Sequence, residues 1–283
     1  MSFKNLKESF NLFKKNLILI LPDAISLLII YSLLAVVYFY TGASEIMPLV
    51  QSAEDASLEL MKNFFSENMT QIIISSLLFI IITFFVGVGI TAIKFDMITD
   101  LMHNKKASLK NSFVKCKPFF WPIVLLRAGI FLIFGIGLLL TLILGGLVYL
   151  IFSNWGPDSA TMISLAVMIG IGLVLFILLK FGLLFVYQMM FLKSNKHPIK
   201  LLRESFKLIK NKTSFVLFSG LMVFALSLIV SGVSNIFSQI IELIPNVYPT
   251  YIWSILQIFI SISVSIIASI YLFLQLQLKL KKD

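Results

Sequence analysis

The sequence is poor in charge. Only 13% of its 283 residues are Asp, Glu, Lys or Arg, against about 25% in a typical soluble domain. One cysteine, Cys116, excludes an internal disulfide, and two histidines far apart give no metal-ligand cluster. In contrast, 59% of the residues are hydrophobic. These values exclude a soluble enzyme, a disordered chain and a disulfide scaffold, and they predict a multi-pass membrane protein.

The sequence contains several long apolar runs. A helix needs about 20 mostly apolar residues to cross a bilayer. Six stretches qualify: about 17–40, 70–97, 119–152, 160–192, 214–240 and 249–278. The first is too long for a signal-peptide core of roughly 7–15 residues, so we interpret it as an uncleaved span. The third and fourth exceed the minimum, so they must tilt, kink or project beyond the lipid.

Positive charge is concentrated on one side of the predicted membrane. The chain has 23 Lys and Arg against 13 Asp and Glu, a net charge of +10. Most of these bases lie before span one, between spans two and three, between spans four and five, and after span six. The positive-inside rule then puts both termini in the cytoplasm. We predict a multi-pass protein of the cell (plasma) membrane, with no nucleic-acid partner.

Three of the predicted cytoplasmic segments resemble one another. They read LKESFNLFKKN at 6–16, LKNSFVKCKPF at 109–119 and LRESFKLIKNK at 202–212, with L-[KR]-x-S-F in common. Each precedes a span and its return span, so the single transmembrane domain, 1–283, divides into units at about 1–104, 105–197 and 198–283. Units in one orientation imply an axis along the membrane normal. The expected fold is an all-α membrane bundle of six transmembrane helices with pseudo-threefold symmetry.

Each shared segment has the spacing of an amphipathic helix. Apolar residues recur at i, i+4 and i+7, with lysines mainly on the other face. Ser108 is suited to cap the second copy, and Pro198 to open the third. Such helices can rest in the inner interface, with cations near lipid phosphates. The residues predicted at this lipid interface are Phe10, Phe113, Phe206, Lys14, Lys115 and Lys210. Anionic inner-leaflet lipids are the expected partners; alternatively, the helices only tether loops to the membrane.

A helix with an S-F pair before each hairpin resembles the membrane domain attached to some glycerophosphodiester phosphodiesterases. It is also similar to related stand-alone bacterial and archaeal membrane proteins of uncharacterised function. The resemblance covers nearly the whole chain through the three motifs. The soluble phosphodiesterase domain, which carries that family's catalysis, has no counterpart here, so no catalytic residue is carried over. The resemblance implies a lipid-adjacent role.

Polar groups inside the spans are costly and mark candidate functional sites. The predicted ligand-binding residues are Lys180, Arg127, Asp23, Lys94, Gln188 and Tyr187. Most lie in the cytoplasmic half of the bilayer, which predicts a polar cavity open to the cytoplasm. Its cations could hold a phosphate or a carboxylate. We expect Asp23 to pair with Arg127 in the empty site. Lys180 is the favoured ligand contact, because its depth makes snorkelling difficult.

A structural interpretation of the same residues stays open. Asp23 and Arg127 could form an ion pair that fixes helix register, while Lys94 and Lys180 snorkel toward the interface. The ligand-site interpretation predicts a non-enzymatic membrane protein that binds or moves an anionic amphipathic ligand, a phospholipid or its headgroup. No cofactor or metal is expected.

The alternative function is a structural, regulatory or immunity-type membrane subunit that acts through a partner protein. The partner would use the basic cytoplasmic face or the loop 41–69. In that loop one apolar face of a short outer helix is predicted from Leu58, Met61, Phe64 and Phe65. A third hypothesis, a lipid enzyme using Asp23, Asp96 or Glu242, lacks a supporting metal cluster or triad spacing.

Overall fold

The computed structural model describes residues 2–52, 57–194, 197–242 and 247–280. Its helices are α1 (Ser2–Lys15), α2 (Ile20–Tyr40), α3 (Ala43–Ser52), α4 (Ser57–Met102), α5 (Leu109–Lys115), α6 (Lys117–Phe152), α7 (Pro157–Gly182), α8 (Val186–Leu192), α9 (Pro198–Asn211), α10 (Thr213–Glu242) and α11 (Val247–Leu280). Within this part of the chain, six stretches are long and apolar enough to cross a membrane: Leu17–Tyr40, Leu58–Met102, Lys117–Trp155, Pro157–Leu192, Thr213–Ile241 and Tyr248–Leu280. The prediction of a multi-pass helical membrane protein is confirmed at this level.

The six spans pair as three hairpins of neighbouring helices. α2 packs on α4, α6 on α7, and α10 on α11. The short helices α1, α5, α8 and α9 lie at one end of these hairpins, which we call the base. The opposite end, which carries α3 and the turn Ser153–Trp155, is called the tip.

Region 41–69 differs from the predicted loop with a short outer helix. After a turn at Gly42, whose φ of +74° suits glycine, α3 packs on α4. α4 has 46 residues, about 69 Å at 1.5 Å per residue. The predicted outer helix is therefore not separate but continues into span two, because no glycine or proline interrupts 57–70. Glu54 and Asp55, two acidic residues of this region, lie outside the described residues.

The fourth span is interrupted near the base. α7 ends at Gly182, residues 183–185 form a turn, and α8 follows. The carbonyl oxygen of Gly182 accepts a hydrogen bond from the Ser205 hydroxyl. A Cβ atom at Gly182 would lie 2.5 Å from the Phe206 ring. Glycine at this position therefore lets α9 pack closely where α7 ends.

All three predicted short helices are present at the base, each directly before a span. Ser108 accepts a hydrogen bond from the Asn111 amide at 3.4 Å and so caps α5. Pro198 opens the first turn of α9. Both details were predicted. α1 packs on α11, α5 on α4, and α9 on α7 and α8, so each short helix contacts the second span of a different hairpin.

The serine of each S-F pair faces the protein, whereas the phenylalanine is exposed. The exposed fractions of Ser9, Ser112 and Ser205 are 0%, 0% and 2%, and those of Phe10, Phe113 and Phe206 are 44%, 60% and 37%. A small side chain lets two helices approach closely. The serines therefore allow the short helices to pack on the spans. Phe10 and Phe113 remain available to the surroundings, whereas the Phe206 ring also packs at Gly182.

The packed core lies at the base. The end of α4, α8 and the end of α11 contact one another. Phe95 joins them, because its ring centroid lies 5.5–5.8 Å from those of Tyr187, Phe191 and Phe273. Toward the tip, in contrast, the spans expose many leucine, isoleucine and phenylalanine side chains. Hydrocarbon can solvate such a surface and water cannot. The base therefore holds the three hairpins together.

Candidate functional site

Asp23 and Lys94 form an ion pair between α2 and α4. The Lys94 ammonium lies 3.0 Å from both carboxylate oxygens of Asp23. The side chains of Lys94 and Asp23 are only 13% and 19% exposed. The prediction that Asp23 pairs with Arg127 is wrong, because α2 packs on its hairpin partner α4 and reaches Lys94 there. This pair closes the first hairpin and leaves neither charge unpaired.

Arg127 on α6 is anchored to α4 by uncharged groups. Its Nη2 donates to the Gly87 carbonyl at 3.1 Å and to the Thr91 hydroxyl at 2.6 Å. A Cβ atom at Gly87 would lie 2.9 Å from Arg127 Nη1, so glycine makes room for the guanidinium. Among the described residues, no carboxylate lies within 4.0 Å of Arg127. The sequence did not indicate Gly87 and Thr91 as its partners.

Lys180 lies in the last turn of α7 and not deep within a continuous helix. The chain turns after Gly182, so Lys180 is followed by a break in the helix and not by a further uninterrupted stretch of span four. Its side chain is exposed, and its ammonium lies 5.4 Å from the centroid of the Phe176 ring, within range of a cation–π contact. Asp158 opens α7 22 residues earlier, or about 33 Å away. A hydrocarbon core about 30 Å thick that begins at Asp158 would therefore end near Lys180.

Tyr187 and Gln188 lie on α8 within the core of the base. The Tyr187 ring packs on Phe95 with centroids 5.5 Å apart. Gln188 is 3% exposed, and its buried Oε1 has no hydrogen-bond partner in the described part of the chain. Of the predicted ligand residues, only Asp23 and Lys94 are joined to each other by an ion pair or side-chain hydrogen bond in the described part of the chain. Arg127, Lys180 and the α8 pair each have different neighbours, so the expected cavity is not built from these residues together.

The basic residues predicted at the lipid interface have different surroundings. Lys14 and Lys210 are exposed on α1 and α9. Lys115 forms an ion pair of 2.8 Å with Asp100 of α4. The hydrogen bond to Asp100 raises the pKa of Lys115 above its usual value. Lys115 therefore holds α5 to α4, and its charge is partly compensated.

A polar furrow runs between α10 and α11. Its volume is about 650 Å³. The polar side chains that line it are Ser227, Ser231, Ser234, Asn235, Gln257, Ser261, Ser265 and Ser269. On α10 it runs from Val223 to Asn235, about 18 Å, and on α11 from Gln257 to Leu272, about 22 Å. It therefore extends over more than half of a hydrocarbon core about 30 Å thick.

Ser238 closes the tip end of the furrow. Its hydroxyl oxygen accepts hydrogen bonds from Trp253 Nε1 and Gln257 Nε2, each at 2.8 Å. Further along the furrow, some serine hydroxyls donate to backbone carbonyls of their own helix, as Ser227 does to Val223 and Ser269 to Ser265. Five lining side chains have no hydrogen-bond partner among the described residues: Ser231, Ser234, Asn235, Ser261 and Ser265. These groups are free to bind water or a polar ligand.

The sequence contained a signal for this furrow that we did not use. Serines recur on α10 at 227, 231, 234 and 238, and on α11 at 254, 261, 265 and 269. Spacings of three, four and seven residues put side chains on one helical face. The predicted ligand residues are mainly ionisable, and the furrow lining contains no ionisable residue; its Gln257 was indicated only as a buried amide of span six.

The chain matches no family model, and neither a curated protein nor a solved structure is significantly similar to it. The resemblance to the membrane domain of glycerophosphodiester phosphodiesterases therefore stays a prediction. What the protein does has to be inferred from its own residues.

Proposed function

We propose that this protein binds phospholipids in the membrane and lets their polar headgroups move along the furrow between α10 and α11. The acyl chains would stay in the surrounding lipid. The observation that carries this proposal is the furrow itself, a polar groove on helices that are otherwise apolar enough to cross a membrane. No bond-breaking chemistry is required of the protein.

The cost of exposing polar groups to hydrocarbon supports this proposal. A hydroxyl or amide moved from water into an apolar medium without a hydrogen bond costs several kcal/mol. Ser231, Ser234, Asn235, Ser261 and Ser265 make no side-chain hydrogen bond within the described residues. Water or a lipid headgroup in the furrow would satisfy them. Because the lining has no ionisable residue, the furrow would accept headgroups without selecting their charge.

The packing of the short helices supports a proposed threefold arrangement. α1, α5 and α9 each pack on the second span of another hairpin, and those second spans meet at the base. We propose that residues 1–104, 105–197 and 198–283 are equivalent units, and that their short helices lie in the membrane interface. If the units are equivalent, leucine in place of Ser9, Ser112 or Ser205 should destabilise the protein to a similar extent. Unequal losses of thermal stability would contradict equivalence.

The proposed orientation puts the base in the cytoplasm of the cell. Its support is the concentration of lysine and arginine at that end. A membrane-impermeant maleimide should label Leu58→Cys at the tip and not Phe3→Cys at the base, with Cys116→Ser in both variants. The opposite pattern would reverse the orientation.

Lipid movement can be measured with purified protein in phosphatidylcholine liposomes that contain a trace of headgroup-labelled fluorescent lipid. Dithionite added outside reduces the label of the outer leaflet only, so continued loss reports movement between leaflets. We expect the wild type to accelerate this movement. The double variant Ser231→Leu with Ser265→Leu fills the furrow with apolar atoms, and its rate should fall to that of protein-free liposomes.

The matched control adds similar bulk to the same two helices outside the furrow lining. Ala225→Leu with Ser263→Leu meets this condition and should keep the wild-type rate. Wild-type protein that gives no acceleration, or a furrow variant as fast as the wild type, would refute headgroup movement along this path.

A second candidate function is a subunit that acts through a partner protein at the tip. The exposed fractions of Leu58, Phe65 and Met69 on α4 are 84%, 50% and 60%. These positions share a helix face at spacings of seven and four residues, and an exposed apolar patch can bind a partner. A stoichiometric partner that copurifies with the wild type and not with Leu58→Glu plus Phe65→Glu would favour this function. A wild-type protein that purifies alone would count against it.

A further inference from the structure

A second cavity lies between α6 and α7, and we call it the crevice. Its volume is about 650 Å³, and its lining is almost entirely apolar. On α6 it extends from Phe131 to Leu142, about 17 Å, and on α7 from Leu165 to Leu179, about 21 Å. Glycine provides some of the room, since a Cβ atom at Gly135 would meet nothing within 4 Å. These dimensions suit an extended acyl chain of one leaflet, since a leaflet is about half of a hydrocarbon core of about 30 Å.

The base end of the crevice is positively charged. Phe176 lines the crevice, and the Lys180 ammonium stands 5.4 Å from its ring centroid. No carboxylate lies within 4.0 Å of Lys180 among the described residues. An apolar groove that ends at an unpaired cation near the edge of the hydrocarbon is complementary to an anionic lipid.

α9 brings further positive charge to the same end. Phe206 of α9 packs at Gly182, two residues after Lys180. Arg203 and Lys210 lie three and four residues from Phe206, on the same side of the helix, and both are exposed. The acidic residue of α9, Glu204, is paired with Lys193 at 3.0 Å. The net charge near the end of the crevice is therefore positive.

We infer that the crevice binds an anionic phospholipid from the leaflet at the base. One acyl chain lies between α6 and α7, and the phosphate contacts Lys180. The phosphate accepts a charge-assisted hydrogen bond from the ammonium, while the glycines of the crevice leave space for the chain. This site is on a different hairpin from the furrow, so it does not depend on headgroup movement.

Native mass spectrometry can test the role of Lys180. The purified protein is incubated with equal amounts of phosphatidylglycerol and phosphatidylcholine, and the retained lipids are identified by mass. We expect the wild type to retain phosphatidylglycerol preferentially. Lys180→Met should lower the ratio of the two lipids about tenfold, because one charge-assisted contact is lost. Lys106→Met, which removes an exposed lysine from the turn between α4 and α5, should leave the ratio unchanged.

A second pair of variants tests the acyl chain. Gly135→Leu puts a side chain into the crevice at a position where a Cβ atom would meet nothing within 4 Å, and it should reduce the retained phosphatidylglycerol to the level of Lys180→Met. Gly146→Leu, on the same helix and also open within 4 Å, does not line the crevice and should bind as the wild type does. Wild-type retention by Lys180→Met or by Gly135→Leu would overturn the inference. A retained free fatty acid in place of phosphatidylglycerol would also overturn it.

The furrow variant separates this site from the proposed function. Ser231→Leu with Ser265→Leu should retain phosphatidylglycerol at the wild-type ratio even if lipid movement stops. Loss of preferential retention in this variant would contradict a separate site on α6 and α7.

Discussion

The hairpins α6–α7 and α10–α11 contain cavities of similar volume with opposite linings. Each cavity measures about 650 Å³. In α6–α7, glycines and apolar side chains form the crevice, whereas serines and two amides line the furrow of α10–α11. The mean hydropathies of all four spans are high, at 2.7 and 2.9 in α6–α7 and 2.4 and 2.2 in α10–α11. The chemistry of each cavity therefore depends on which residues face the partner helix, and average hydropathy does not reveal it.

The contacts that hold these hairpins together also differ. In α6–α7, the buried Ser164 hydroxyl donates to the Gly145 carbonyl at 2.7 Å, and the two helices touch there. In α10–α11, Ser238 joins the helices by accepting from two side chains, Trp253 and Gln257. Close contact between the backbones of α6 and α7 requires glycine at position 145, whereas the hydrogen bonds between α10 and α11 require only the hydroxyl group of Ser238. One substitution in each of the three hairpins tests how its two helices are held together.

The largest effect is expected in the remaining hairpin, α2–α4, which an ion pair closes. Lys94→Met leaves Asp23 poorly exposed and without its cation, and should reduce the free energy of unfolding by about 3 kcal/mol. The double variant Asp23→Leu with Lys94→Met removes both charges and should regain most of this loss. Chemical unfolding in mixed micelles measures both values. Equal losses in the single and double variants would show that the charges are not coupled.

A smaller effect is expected when the close contact in α6–α7 is filled. A Cβ atom at Gly145 would lie 2.2 Å from Met168 Cγ, so Gly145→Leu should reduce the free energy of unfolding by about 2 kcal/mol. Gly232→Leu on α10 is the matched control, because nothing lies within 4 Å of its Cβ position. If both variants unfold alike in the same micelles, the two hairpins are not held differently.

The smallest effect is expected from the network in α10–α11. Ser238→Ala removes the acceptor of two hydrogen bonds and should reduce the free energy of unfolding by about 1 kcal/mol. Ser254→Ala removes only an exposed bond to the Thr250 carbonyl and should change the stability little. With Trp121→Phe and Trp155→Phe in the background, tryptophan fluorescence reports Trp253 alone, and its spectrum should shift because its indole loses a partner. If Ser238→Ala leaves both the spectrum and the stability unchanged, the hydrogen bonds of Ser238 do not hold α10 and α11 together.

The local features of the fold were predictable from the sequence. Spans, short helices, the Ser108 cap and the opening Pro198 each depend on a few neighbouring residues. The partner of Asp23 was not predictable, because it depends on which spans are adjacent. The break of span four after Gly182 was not predicted either, since the end of α7 coincides with packing against α9 and a hydrogen bond from Ser205.

The candidate site, like the fold, was only partly predictable from the sequence. Searching for charges identified Lys180, whose exposed position at the end of the crevice suits a lipid phosphate. The same search missed the furrow, because serine hydroxyls carry no charge and lower the hydropathy of a span only slightly. Their common face could have been found from spacing alone. The spacing does not show that the serine faces of α10 and α11 meet and leave a groove, because this depends on how the two helices pack.

The sequence by itself determined that the chain has six apolar helices, because crossing a bilayer requires about 20 apolar residues in succession and an internally bonded backbone. It also determined where short basic helices precede the spans. The tertiary structure decided which polar groups pair, which remain free and which cavity is polar. The physical reason is that each of these depends on how neighbouring helices are rotated about their axes, and residues far apart in the chain set that rotation.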